Sequence, residues 1–194
     1  MNQVDFTSTS SVSFGELGPT TSLQLMFAKL QLELAGTAKS QAMEKMDAIS
    51  QAQDEQKLVS QLLNEARQSQ ADAKAGVNSK QSYTYTFTRE DGSTYTKTET
   101  STDNAIPMSQ AMVDYMDAHG LAYDKSNGDH LQLADEWDVA ITSLESRLEE
   151  LGTNTQQEMV YIQDYMSQYN SYLQGANTQI ANSNQTLTSL ARGQ

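Results

Sequence analysis

The sequence predicts a mainly α fold. Long N- and C-terminal helices form an antiparallel coiled-coil hairpin, with an inserted β-hairpin and short helix. Three observations carry this reading. Apolar residues recur at spacings of three and four near both ends of the 194-residue chain. The two periodic stretches are each about 55 residues, roughly 80 Å at helical rise, and matched arms at opposite ends suit antiparallel pairing. Between them the period drops to two over SYTYTFTREDGSTYTKTET, residues 82–100. The expected division is an export segment at 1–19, a first coiled-coil helix at 20–76, a surface-exposed insert at 77–134 and a second coiled-coil helix at 135–194.

Residues 2–18 are rich in Ser and Thr, so they are expected to be disordered. They lack the basic region and apolar core of a cleaved signal peptide. The first helix starts at the Thr20–Thr21–Ser22 cluster after Pro19. Leu23, Phe27, Leu30 and Leu34 then step 4–3–4 and form its apolar stripe. The stripe thins to Ala38, Ala42, Met46 and Ile49, and resumes at Val59, Leu62 and Ala66. No Pro interrupts this run of good helix formers, and Gly76 stops it. The thin middle offers little private core.

In the insert, Tyr83, Tyr85 and Phe87 alternate with Thr84, Thr86 and Thr88, the period of a strand. A three-residue loop at Glu90–Asp91–Gly92 sets Tyr95 opposite Phe87 and gathers the four aromatics on one side. That side must rest on something, because an isolated hairpin is marginal. The hairpin itself reads as separable from the helical blocks. Ile106–Pro107 reads as the start of a short helix lined by Met108, Met112, Tyr115 and Met116 and ended by Gly120. The methionines pack inward on this reading, and 121–131 is polar loop.

From Asp135 the heptad returns. Trp137, Ile141, Leu144, Leu148 and Leu151 step 4–3–4–3. The register slips by one across Gly152–Thr153–Asn154. Met159, Ile162, Met166, Tyr169, Leu173, Ala176, Ile180, Ser183, Leu187 and Leu190 then step 3–4 to the end.

Composition excludes several functions. A formal charge of −13 disfavours nucleic acid and anionic membrane as partners. The apolar fraction of 37% argues against a large compact core. There is no Cys, so thiol chemistry and thiolate metal sites are absent. No apolar run approaches the roughly 18 residues of a membrane span. Asp124–Glu136 resembles a calcium loop but fails on spacing: Gly128 falls one place early, and Asp135 stands where a bidentate Glu belongs. His119 and His130 have no second close His, and no nucleophilic triad or phosphate loop is present. No catalytic, cofactor-binding or metal site is expected.

The last helix is unusual. From Tyr161 to Gln194 only Asp164 and Arg192 are charged. Tyr161, Tyr165 and Tyr172 flank the seam and widen it beyond what one partner helix requires. The remaining surface is Asn, Gln, Ser and Thr. Like charges repel most where water is excluded, whereas amides and hydroxyls are far less costly to bury. This composition suits a helix packed among copies of itself, with Asn177 and Asn184 on the candidate inter-subunit face beside the three tyrosines.

Three stretches resemble the EspA and SseB group of type III secretion filament proteins. They are LMFAKLQLELAGTAKSQAMEKMD (25–47), IPMSQAMVDYMDAHGL (106–121), and IQDYMSQYNSYLQGANTQI with LARGQ (162–180, 190–194). The resemblance implies a protein secreted through a type III apparatus to the bacterial surface, whose subunits polymerise into a sheath that extends the needle toward the host cell. It implies that the terminal helices build the wall and that a cytoplasmic chaperone covers them before export. It also implies contacts with needle and translocon pore proteins. A needle-tip protein and an intracellular coiled-coil chaperone or regulator remain open as alternatives. Long ordered polymers distinguish the first reading from both, and secretion distinguishes the first two from the third.

Overall fold

Helix α1 runs without interruption from Leu23 to Ala75. Its residues are mainly Ala, Gln, Lys, Leu and Glu, which favour helix, and it ends where Gly76 adopts a positive φ of 66°. The computed structural model describes residues 23–76, 82–101, 104–125 and 128–193. The expected export segment at 1–19 lies outside them. The elements that follow are β1 (Ser82–Thr88), β2 (Thr94–Thr100), β3 (Ile106–Pro107), α2 (Gln110–Ala118), β4 (Leu131–Gln132) and α3 (Trp137–Arg192). The protein is mainly helical: the two long helices pack together, and a small insert of two two-stranded sheets lies between them in sequence.

The chain divides into two units. One, here the helical unit, comprises residues 1–48 and 158–194; the other, the mixed unit, comprises 49–157. Both long helices contribute to each.

In the mixed unit α1 and α3 run in opposite directions. Arg147 of α3 meets Glu55 of α1, and Asp138, further back along α3, meets Gln70, further forward along α1. Val59, Leu62, Leu63 and Ala66 face Trp137, Ala140, Ile141 and Leu144, all buried. The insert joins this core instead of standing apart. Tyr85, Met108, Met112, Val113, Tyr115, Met116 and Tyr123 are buried in the same cluster. The expectation of a surface-exposed, separable insert is therefore corrected: only part of the insert faces water. The cause is that each small sheet has one apolar face and too few strands to stand alone.

The hairpin register matches the sequence reading. Phe87 pairs with Tyr95, Arg89 N–H donates to Ser93 O at 2.8 Å, and Gly92 closes the three-residue loop at φ 80°. Ile106–Pro107 does not begin a helix. It forms β3 and pairs with Leu131–Gln132, so residue 131 belongs to a strand and not to the polar loop expected there. The helix begins instead after Ser109, whose Oγ accepts from Met112 N–H at 3.3 Å. Gly120, at φ 64°, ends α2 with Leu121 N–H donating to Met116 O at 2.8 Å. Met108, Met112 and Met116 are fully buried, as their helical spacing suggested.

In the helical unit the same two helices again run opposite ways: Lys45 meets Glu158, and Gln31 meets Gly175. The packing is of another kind. The buried residues here, among those described, are Ala28, Ala35, Ala38, Ala42, Ala176 and Ser183. The stripe 23–27–30–34 does not face α3, contrary to its reading as the seam. Residues 28, 31, 35, 38, 42 and 45, also spaced by three and four, take that place. The contact is close enough that a Cβ on Gly175 would stand 2.6–2.8 Å from the Gln31 side-chain amide. Small residues permit such approach, and larger ones at these positions would force the helices apart.

The expected slip at Gly152–Thr153–Asn154 is likewise absent: the non-exposed positions 148, 151, 155, 158, 162 and 165 keep one 3–4 register along α3. Met159 is exposed, and Thr155 and Glu158 occupy the half-buried positions.

Replacing Met112 by Ala tests the shared core. The side chain is fully buried between insert and long helices. The expected cost is about 2–5 kcal/mol. Trp137, the single Trp, is buried in the same unit, so its fluorescence during urea unfolding reads that unit specifically.

Candidate assembly interface

The most unusual surface belongs to the helical unit. Leu23, Phe27, Leu30 and Leu34 stand 68%, 50%, 49% and 39% exposed on one side of α1, and Met26 adjoins them. With Ala28 at heptad position a, the buried residues occupy a and d, and these four occupy c and g. A helix with two such stripes has room for two neighbours. One is α3 of the same chain.

Helix α3 carries a matching feature. Met159, Met166, Leu173, Ile180 and Leu187 recur every seventh residue, beside the stripe formed by Ile162, Tyr165, Tyr169, Tyr172, Ala176 and Ser183. Met159 and Leu187 are exposed, and Met166, Leu173 and Ile180 are half-buried. Leu190 is exposed at 66%, so Leu187 and Leu190 lie outside the seam proposed for them. Tyr165 and Tyr172, read from sequence as flanking residues, are half-buried, as is Tyr169. Tyr161 stays outside, with the Lys45 ammonium 5.6 Å from its ring centroid. Asn177 and Asn184 are exposed, as their off-seam positions predicted. In the mixed unit Trp137, Ile141, Leu144 and Leu151 are buried and Leu148 packs against them.

Sequence reasoning found the large apolar residues of α1 but assigned them the wrong neighbour. The signal for the true contact was the Ala28–Ala35–Ala42 heptad, which hydrophobicity weighting understates. Electrostatics mark the same unit. Residues 23–48 and 158–193 carry three Lys, one Arg and five carboxylates, a net of −1. Lys45 and Glu158 pair at 3.0 Å, each partly shielded, and the Glu158 hydrogen bond raises the Lys45 pKa.

Two charge clusters lie in the mixed unit. Glu99 is buried on β2, where its carboxylate accepts from Lys97 Nζ at 2.7 Å and from His130 N–H at 2.8 Å, with His130 Nδ1 at 3.0 Å. Tyr85, Phe87 and Tyr123 surround the His130 ring at 4.6, 5.5 and 6.1 Å. Burial alone would raise the Glu99 pKa, but the Lys97 and His130 hydrogen bonds outweigh it and hold the group below the usual carboxylate range. In the second cluster Glu55 Oε1 accepts from Tyr115 Oη at 2.7 Å and from Arg147 Nη2 at 2.6 Å. Burial and the Glu55 contact push the Tyr115 phenol up to about 12. The first cluster holds the hairpin to the stretch around His130 within the insert, and the second pins α2 of the insert to α1 and α3. Asp129, in the calcium-like stretch, accepts from Leu131 N–H at 3.2 Å, and no metal-holding group of three or more His, Cys, Asp or Glu occurs among the described residues. No described helix is long and apolar enough to cross a membrane.

Comparison with protein families, curated proteins and solved structures found no match.

Because the Glu99 pKa is depressed on folding, its contribution is present above the unfolded value of about 4.3 and is lost as pH falls through the folded value. Glu99→Gln is expected to destabilise the mixed unit at pH 7 and to flatten the stability loss seen in the parent below about pH 4.3. Urea titrations across pH, read by Trp137 fluorescence, check both effects.

Proposed function

We propose that this chain is a non-enzymatic structural subunit that polymerises with copies of itself through its terminal helices. On this reading α1 and α3 form an antiparallel coiled-coil hairpin, and the polymer is an extracellular type III secretion filament extending a needle toward a host cell. The observation that carries the self-association step is the inverted packing of the helical unit: alanines inside and Leu23, Phe27, Leu30 and Leu34 outside. Exposed apolar stripes are common at interaction sites, which supports this step. The amide- and hydroxyl-rich surface of α3 supports the same step, since such groups tolerate burial against identical neighbours better than charges do. The secretion context rests on the resemblance of residues 25–47, 106–121 and 162–180 to filament proteins of the EspA and SseB group. A cytoplasmic chaperone covering the exposed stripe before export, and contact with needle and translocon pore proteins, belong to that context.

The test adds charge to the proposed packing face. Asn177 and Asn184 are exposed and lie off the intrachain seam. Substituting both by Glu changes helix propensity little and on a solvated surface stays within about 0.5 kcal/mol. Between copies, each unpaired carboxylate is expected to cost several kcal/mol in every subunit. Secretion, monomer circular dichroism and electron microscopy are compared for the parent and Asn177→Glu/Asn184→Glu. Long polymers from the parent, with a secreted and helical variant that forms none, are the expected outcome. Normal polymers from the variant would place this face in water.

A further inference from the structure

Charge is distributed very unevenly between the two units. Residues 49–157 carry eighteen carboxylates against eight Lys and Arg, a net of −10. Residues 1–48 and 158–194 together carry −3. The excess is not neutralised within the mixed unit. Arg67, Lys97, Lys125 and Arg147 are engaged with Glu145, Glu99, Asp117 and Glu55, and eight cations cannot offset eighteen carboxylates. Asp54, Glu90, Asp114, Asp135, Asp138 and Glu149 are all exposed.

The two units are joined through α1 and α3 themselves, so every copy that adds its helical unit to an assembly also brings a mixed unit of −10. Helices in contact lie about 8–10 Å apart. A folded body of this size has a radius of gyration of about 13 Å, larger than that spacing. Mixed units on adjacent copies are therefore brought within each other's field. Like charges so placed repel, and the repulsion reaches roughly 20 Å in dilute salt but only about 4 Å near 0.5 M.

Resting on the self-association reading above, we infer that the acidic mixed unit is an electrostatic brake on polymerisation, set against the apolar drive of the nearly neutral helical unit and released by cations. Assembly is then controlled by ionic strength. It is restrained where counterions are scarce and proceeds where they screen the mixed units.

The experiment measures the critical concentration for polymer formation, by sedimentation and electron microscopy, for the full chain in about 20 mM and about 500 mM NaCl. The same measurement is made on Asp54→Asn/Glu90→Gln/Asp135→Asn/Glu149→Gln. These four side chains are exposed and form no hydrogen bond or ion pair among the described residues, and the change brings the mixed unit to −6. The parent's critical concentration is expected to fall about tenfold or more between the two salts. The variant is expected to assemble at lower concentration than the parent in dilute salt and to respond less to added NaCl. The variant arm separates screening from a general salting-out of apolar surface, which would act on both proteins alike. Assembly of the parent at one critical concentration in both salts overturns the brake while leaving self-association standing. A variant indistinguishable from the parent in dilute salt does the same. Failure of both proteins to assemble at any salt removes the self-association reading and the brake with it.

Discussion

The close contact of α1 and α3 through alanine is the constraint from which the character of the helical unit follows. A buried Ala contributes about 0.8 kcal/mol, against roughly 1.5–3 kcal/mol for a buried Leu or Phe. By packing on Ala28, Ala35, Ala38 and Ala42, α1 turns Leu23, Phe27, Leu30 and Leu34 away from its own partner helix. The same seam brings Gln31 against Gly175 and leaves the Gln31 Oε1 buried without a hydrogen bond. The result is a pair of helices whose best apolar surface is external. Stability in that unit is then tied to what covers the surface, because binding to the folded form raises its apparent stability.

The mixed unit follows another logic. Its core is built from Trp137, Leu144, Tyr85 and three fully buried methionines, drawn from both long helices and the insert. Carboxylates fasten the pieces at two points: Glu99 ties the hairpin to the stretch around His130, and Glu55 ties α2 to α3 through Tyr115 and Arg147. Each has more than one donor, which is why ionised carboxylates are tolerated in partly buried places. The unit thus carries its own core and much of the chain's negative charge, whereas the helical unit has little of either.

Much of this was legible in the sequence where a single local rule dominates. The hairpin register followed from alternation and the Asp91–Gly92 turn, because a one-residue error would send every aromatic to the wrong face. The ends of α1 and α2 followed from Gly76 and Gly120, which adopt positive φ. Tertiary choices were less legible. Periodicity shows that α1 has apolar stripes but not which one meets α3, and hydrophobicity favoured the larger residues where close approach selected the smaller. Pro107 suggested a helix start, yet it lies in a strand opposite Leu131, 24 residues later, a pairing with no local signature. The apparent slip at Gly152 arose from counting Met159 as core, when Thr155 and Glu158 continue the heptad in polar form.

Hydrogen–deuterium exchange of the full chain, followed from dilute solution to the concentration at which copies associate, tests the central claim most directly. The claim is that the helical unit lacks a sufficient core of its own and is completed by other copies. It predicts fast exchange in residues 23–48 and 158–192 when dilute and strong protection of both on association, with the core of residues 49–157 protected throughout. Equal, concentration-independent protection of both units in dilute solution would contradict it, because the alanine seam would then suffice without a partner.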